Sequence, residues 1–179
     1  MRIISGKYKG RVITPPKNLR ARPTTDFAKE NLFNVLQGIV DFEECDVLDL
    51  FAGTGSISYE FASRGVKSIT SVELNAVHYG YIRNASRDLG IENHYIVKAN
   101  VFLYLKSCAK RFDIIFADAP YDMDGSSAVI EIVFERNLLN GEGILIFEHP
   151  KSMSFEEHPH FVQLRSYGSV HFSIFKGSL

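Results

Sequence analysis

The sequence predicts an α/β protein: a mostly parallel, Rossmann-like sheet covered by helices, ending in a C-terminal antiparallel hairpin and preceded by an N-terminal β-hairpin extension. Three observations carry this. Short apolar runs alternate with segments of helical periodicity, the pattern that returns a chain to a parallel neighbour by right-handed crossovers. The stretch V-L-D-L-F-A-G-T-G-S-I-S at 47–58 joins a strand suited to burial on both faces to a glycine turn and then a helix. Residues 161–167 and 170–175 alternate apolar with polar side chains about a tight Gly168-Ser169 turn, which makes the closing strands antiparallel.

Taken in order, residues 2–5 and 11–14 read as hairpin arms, with Gly6-Lys7-Tyr8-Lys9-Gly10 as a loop whose tip is crowded by lysines and Tyr8. Pro15-Pro16 ends the pairing, and 17–25 has loop composition, with Pro23 holding Arg22 away from helical angles. A basic hairpin and loop is therefore expected over 1–25 and the main domain over 26–179. From Asp26 onward Leu32, Phe33, Leu36, Ile39 and Val40 keep helical spacing; Thr25 can cap this helix and Asp26 suits its positive end. A strand at 47–50 follows, broken by Gly53 and Gly55. Ser56 is the expected N-cap of the next helix, Ile57 and Phe61 share one of its faces, and Gly65 supplies a left-handed stop. A strand at 68–74 leaves Glu73 at its carboxyl end, a helix at 75–89 is closed by Gly90, and a strand at 95–99 delivers Asn100. A helix at 101–108, a strand at 112–117, a helix carrying Val129, Ile132 and Val133, and a strand at 143–148 complete the series.

With 179 residues, 45% of them hydrophobic, the chain can bury one good core. No apolar run approaches the roughly 18 residues of a membrane span, and the first residues lack a signal-peptide core, so a cytoplasmic protein is expected. Cys45 and Cys108 lie far apart without metal-ligand spacing; neither a disulfide nor a metal is expected.

The net charge of -1 conceals an asymmetry. Seven basic residues and no acidic one stand in 1–22, namely Arg2, Lys7, Lys9, Arg11, Lys17, Arg20 and Arg22. The remainder carries 13 Lys and Arg against 21 Asp and Glu, a net -8. A basic arm on an acidic body fits a polyanionic partner gripped at one end, since each neutralised phosphate releases counterions.

Ligands of open α/β sheets bind outside the carboxyl ends of the strands, so the glycine turn, Glu73, Asn100 and the stretch Asp118-Ala119-Pro120-Tyr121 should converge on one crevice. Glu73, 18 residues beyond Gly55, is placed to accept hydrogen bonds from both hydroxyls of a ribose. Asn100 can offer its carbonyl oxygen to an adenine amino group, or it is an asparagine in a turn. Asp118 and the main-chain carbonyl of Ala119 can hold the two protons of an exocyclic amine, on a turn stiffened by Pro120, while Tyr121 stacks on the base. A purine amine is a poor nucleophile because its lone pair is delocalised into the ring. Two acceptors would aim that lone pair at an electrophilic methyl and stabilise the positive charge appearing on nitrogen. The sulfonium of S-adenosylmethionine suits this role without a metal, and the target base must leave its stack to reach such a crevice.

These residues carry a resemblance that spans nearly the whole chain. The segment from Arg2 through Arg11, then Arg22-Pro23-Thr24-Thr25-Asp26, Lys29-Glu30 and Leu32-Phe33-Asn34, resembles the N-terminal signature of RsmD-type methyltransferases. Asp49-Leu50-Phe51-Ala52-Gly53-Thr54-Gly55-Ser56 resembles their cofactor loop, and the run from Phe112-Asp113 to Tyr121 their catalytic strand. The resemblance implies a class I methyltransferase sheet and transfer of a methyl group from S-adenosyl-L-methionine to the exocyclic N2 of a guanine in 16S ribosomal RNA, in the assembled or assembling small subunit, by a monomer. It assigns cofactor contact to Asp49, Phe51, Ala52, Gly53, Thr54, Gly55, Glu73, Leu74, Asn100 and Val101, and catalysis to Asp118, Ala119, Pro120 and Tyr121. RNA contact falls to Arg2, Lys7, Lys9, Arg11, Arg20, Arg22, Thr24 and Thr25. The chain departs from the family's pattern at Ala119, where a second proline is usual, and at Asn100, where an aspartate is usual. Ala119 keeps the backbone carbonyl and Asn100 keeps an acceptor.

Three rival readings stand beside this one. A nicotinamide-dependent oxidoreductase would share the glycine turn and Glu73, but Ser58 occupies its third glycine position. A noncatalytic RNA-binding assembly factor could retain the fold. An adenine-N6 DNA methyltransferase could use the same catalytic turn.

Overall fold

The computed structural model describes residues 1–16, 19 and 24–177. Seven strands form one sheet in the order β3-β2-β1-β4-β5-β7-β6. They are β1 (Asp46–Leu50), β2 (Ser68–Glu73), β3 (His94–Lys98), β4 (Phe112–Asp118), β5 (Leu139–His149), β6 (Phe161–Tyr167) and β7 (Val170–Lys176). The first five run parallel; β7 lies antiparallel between β5 and β6. Burial explains why β7, and not β6, takes the inner place. In V-H-F-S-I-F every side chain is buried, whereas F-V-Q-L-R-S-Y has none fully buried and leaves Val162, Leu164, Arg165 and Ser166 exposed as an edge strand. Gly168, at φ +63°, makes the two-residue turn between them, with Tyr167 paired to Val170.

Helices α1 (Asp26–Gln37), α2 (Ser56–Ser63) and α3 (Ala76–Asp88) contribute to the core on one face, while α4 (Val101–Ser107) and α5 (Ala128–Glu135) contribute to the other. Strand residues divide by parity. Val47, Ile114, Phe116, Ile144 and Ile146 meet the first core; Leu48, Leu50, Ile115, Ala117 and Leu145 meet the second. The strand order reverses at β1, between β2 and β4, which places the crevice at the carboxyl ends of these strands. Among the described residues no helix is long and apolar enough to cross a membrane.

Several elements differ from the sequence reading. The N-terminal hairpin is present but short: Arg2 bridges Val12, flanked by backbone bonds from Ile3 to Arg11 and between Met1 and Ile13, and beyond Ile3 the backbone turns onto α2. The amides of Ile4 and Ser5 donate to the two oxygens of Glu60 at 2.9 and 3.1 Å, and those of Lys7 and Tyr8 to the carbonyl and hydroxyl of Ser63 at 2.7 and 2.9 Å. Ser56 is not the cap of α2: Gly55 occupies that place at φ +81° and Ser56 is the first helical residue. Thr25 does cap α1, accepting from the amide of Ala28 at 3.1 Å, and Gly65 stops α2 at φ +83°. Strand β5 begins earlier than 143, its register shifting against β4 between Phe112 and Ile114. Lys17, Arg20, Arg22 and Pro23 lie outside the described residues.

Candidate active site

The glycine loop leaves β1 through Phe51, held at φ +58°, and passes Gly53 at φ +58° and Gly55 at φ +81°. Left-handed geometry suits the glycines; at a bulky residue such as Phe51 it is strained, and such strain gathers at ligand-binding loops. Gly55 is required for a second reason, since a Cβ there would come within 2.7 Å of the Tyr59 ring. The loop is fixed from below by Glu73. One of its oxygens accepts the Gly53 amide at 2.8 Å and the other the Asn75 amide at 2.7 Å.

Asp49 stands beneath the loop, 2% exposed, and accepts a short hydrogen bond from the Ser58 hydroxyl. Burial pushes its carboxyl up to about 7, with the nearby Glu73 charge adding to the rise and the Ser58 bond opposing it. Ser58 continues to Ser71 at 2.6 Å, Ser71 to Nε2 of His94 at 2.6 Å, and Nδ1 of His94 to Ser86 at 3.0 Å. Burial drives the imidazole of His94 down to about 4. A chain of mutually bonded polar groups thus ties the loop to β2, β3 and α3. Ser58, which the sequence offered only as a missing glycine, is its first link.

Above the loop opens a cavity of about 640 Å³, within the range of small-molecule and cofactor sites. Asp49, Phe51, Ala52, Gly53 and Thr54 line it from β1 and the loop, Glu73 and Leu74 from the end of β2, and Asn100 and Val101 from the end of β3. Asp118, Ala119, Pro120 and Tyr121 line it from the end of β4. Of the residues assigned to cofactor and catalysis, Gly55 alone does not face this space. Leu74 is 59% exposed at the rim, an apolar surface left open, whereas Ala119 is buried. Met123 donates its amide to the Pro120 carbonyl at 2.9 Å, closing the turn that follows Asp118.

Two placements bear on the assigned roles. The Asn100 side-chain oxygen accepts the amides of Phe102 and Leu103 at 3.0 and 3.2 Å and so caps α4, the turn role weighed for it in the sequence. Thr24 is buried and lines the cavity. Its hydroxyl donates to Glu148 at 3.2 Å, while the neighbouring Thr25 is spent as a helix cap. Arg2, Lys7, Lys9 and Arg11 stand exposed on the N-terminal segment, outside the cavity. That segment nonetheless meets the loop, where the Thr54 hydroxyl lies 3.6 Å from the Met1 sulfur. Glu148 was read only as the last residue of a strand. It is 4% exposed, lines the cavity, and stands in register with Asp118 on the adjacent strand. The signal that could have found it is the one that found Glu73, an acidic side chain at the carboxyl end of a buried strand.

A pocket with a nucleoside-sized half at β1 to β3 and a carboxylate with an aromatic ring at β4 can hold two ligands side by side. The model of the family described as Conserved hypothetical protein 95 matches residues 1–176. The chain belongs to this family, the RsmD-type methyltransferases. Among the family's curated members, ribosomal RNA small subunit methyltransferase D of Escherichia coli strain K12 is 31% identical over 149 residues, covering 83% of this chain and 74% of that protein. A solved hypothetical protein of Thermus thermophilus, TTHA0928, superposes with a TM-score of 0.86 at 26% identity, covering 98% of each chain. SMU.776, solved in complex with SAH, has a TM-score of 0.64 at 18% identity and covers 83% of this chain and 48% of its own; it shows the shared fold. The family's sheet is thus a class I methyltransferase sheet, with β7 antiparallel beside β5.

Proposed function

We propose that this chain transfers a methyl group from S-adenosylmethionine to the exocyclic N2 of a guanine in small-subunit ribosomal RNA. It would act as a cytoplasmic monomer on the assembled or assembling particle. The observation that carries the reading is the sharing of one cavity by Asp118, Glu73 and the glycine loop. The relative from Escherichia coli, named for ribosomal RNA of the small subunit, supports the substrate class.

The residues present fit the cofactor. Glu73 keeps acceptor lone pairs for ribose hydroxyls beyond the two amides it holds, and Leu74 and Val101 offer apolar surface to a flat base. When bound, S-adenosylmethionine supplies an electrophilic methyl on sulfur. Asp118 and the Ala119 carbonyl would accept the two N2 protons, orient the nitrogen lone pair and stabilise the charge that grows there. Tyr121, 39% exposed at the mouth, would stack on the extruded base.

The test is transfer of labelled methyl to small subunits, naked ribosomal RNA and DNA. N2-methylguanine in the ribosomal RNA is expected. Asp118→Ala should lower the rate by roughly 100-fold or more, the scale of losing one transition-state acceptor, while calorimetry shows unchanged cofactor affinity. Label on DNA adenine would overturn the substrate.

A further inference from the structure

The reading above uses one carboxylate at the catalytic end of the cavity, yet the sheet places two there. Parallel pairing sets Asp118 opposite Glu148, so both side chains leave the same face of neighbouring strands about 4.8 Å apart. Both line the cavity, with Thr24 and Tyr121 beside them. Glu148 is 4% exposed, and its partners include the Thr24 hydroxyl, which donates to Oε2 at 3.2 Å, and the Tyr121 hydroxyl, 3.5 Å from Oε1. A carboxylate taken this far out of water is costly unless it is hydrogen-bonded. An ionised carboxylate offers about four acceptor sites, enough to hold protein donors and a ligand N–H together.

We propose that Glu148 reads the base, accepting the N1–H of guanine while Asp118 and the Ala119 carbonyl hold N2. This rests on the guanine-N2 reading given above. Guanine is the base whose pairing edge carries two adjacent donors, N1–H and N2–H₂. Adenine and cytosine place a lone pair beside their amine, and that lone pair would face the Glu148 carboxylate. Two carboxylates at adjacent strand ends therefore match the donor-donor edge and reject the donor-acceptor edge. Sites that hydrogen-bond a polar group discriminate strongly against analogues lacking it, because the buried partner is left unpaired.

The test uses the full chain and small subunits reconstituted with ribosomal RNA in which the methylated guanine, once mapped by digestion and mass spectrometry, is replaced by 2-aminopurine. That base keeps the amine at position 2 but carries a lone pair at N1. The wild type should prefer guanine by roughly 10- to 100-fold, the scale of one charge-assisted hydrogen bond. Glu148→Gln, whose amide can donate to N1, should bring the ratio within about threefold, with cofactor affinity unchanged by calorimetry. Glu148→Asp keeps the charge at shorter reach and should retain the preference at a lower rate. An undiminished ratio in Glu148→Gln, with N2-methylguanine still formed by the wild type, would make Glu148 a strut for Thr24 and Tyr121 and sink this inference alone. Absence of any labelled guanine with the wild type would sink the guanine-N2 reading instead.

Discussion

Two sets of buried polar residues hold the N-terminal segment and the glycine loop, and they differ in make-up. Beneath the N-terminal segment, Lys29 and Glu60 are charged-type side chains only 1% and 0% exposed, 3.7 Å apart, with Arg64 3.1 Å from the same glutamate. Lys29 also donates to the Arg2 carbonyl at 2.6 Å, and Glu60 receives the amides of Ile4 and Ser5. Beneath the glycine loop, Asp49, Ser58, Ser71, His94 and Ser86 form a hydrogen-bonded chain in which burial favours the neutral forms of both titratable members. The segment that carries the exposed Arg2, Lys7, Lys9 and Arg11 is held by side chains of charged type. Beneath the glycine loop the links are hydroxyls and an imidazole, while the Glu73 carboxylate holds the loop itself through the Gly53 amide.

Removing the anion from the charged set should have the larger effect. Glu60→Ala leaves Lys29 and Arg64 buried without the glutamate they share and frees two backbone amides. A loss of about 3–5 kcal/mol in urea unfolding is expected, the usual result of breaking a buried pair. A loss under about 1 kcal/mol, the value of an exposed pair, would mean that the cluster is solvated and the contrast false.

The neutral set should respond to pH between the acid and the neutral range. Because burial raises Asp49 to about 7, the folded protein holds this proton more tightly than the unfolded chain. The stability it contributes is therefore full below about pH 4 and is lost as pH rises toward 7. Asp49→Asn should erase that decline, gaining roughly 2–4 kcal/mol on the wild type between pH 4 and 8. The acid limb should survive in the variant. His94, depressed to about 4, contributes fully above 6.5 and loses its contribution as pH falls toward 4. Parallel wild-type and variant curves across this range would show Asp49 to be ionised in the fold.

How much of this was legible in the sequence follows the range of the interactions. The glycine turn, Glu73 and Asp118 each end a strand that announces itself locally, so the cavity could be drawn before any coordinates. The strand that closes the sheet was legible as antiparallel because a two-residue turn permits nothing else. Glu148 carries the same local mark as Glu73, but its place beside Asp118 comes only from pairing with a residue 30 positions earlier. Lys29 and Glu60 were hidden for the same reason. A lysine and a glutamate in amphipathic helices read as solvated, and only the sideways docking of Ile4, Ser5 and the Arg2 carbonyl buries them. The short reach of the hairpin shares that cause: beyond Ile3 the amides of Ile4, Ser5, Lys7 and Tyr8 go to Glu60 and Ser63.

The smallest effect expected is also the one that separates charge from placement. Lys7, Lys9 and Arg11 are exposed, and Lys7 lies 5.2 Å from the centre of the Tyr8 ring, so none contributes to the core. Replacing all three by glutamine should leave unfolding and cofactor affinity unchanged. RNA binding should weaken only several-fold at moderate salt, with the slope of log K against log salt falling by about 0.7–0.9 for each phosphate no longer neutralised. Glu60→Ala leaves these three cations in place but releases the segment that presents them. Should it bind RNA as tightly as the wild type, with the full slope, the docked conformation is dispensable and the cations act as a mobile polycation. Weakened binding with an unaltered number of cations would instead show that Glu60 serves RNA recognition without touching RNA.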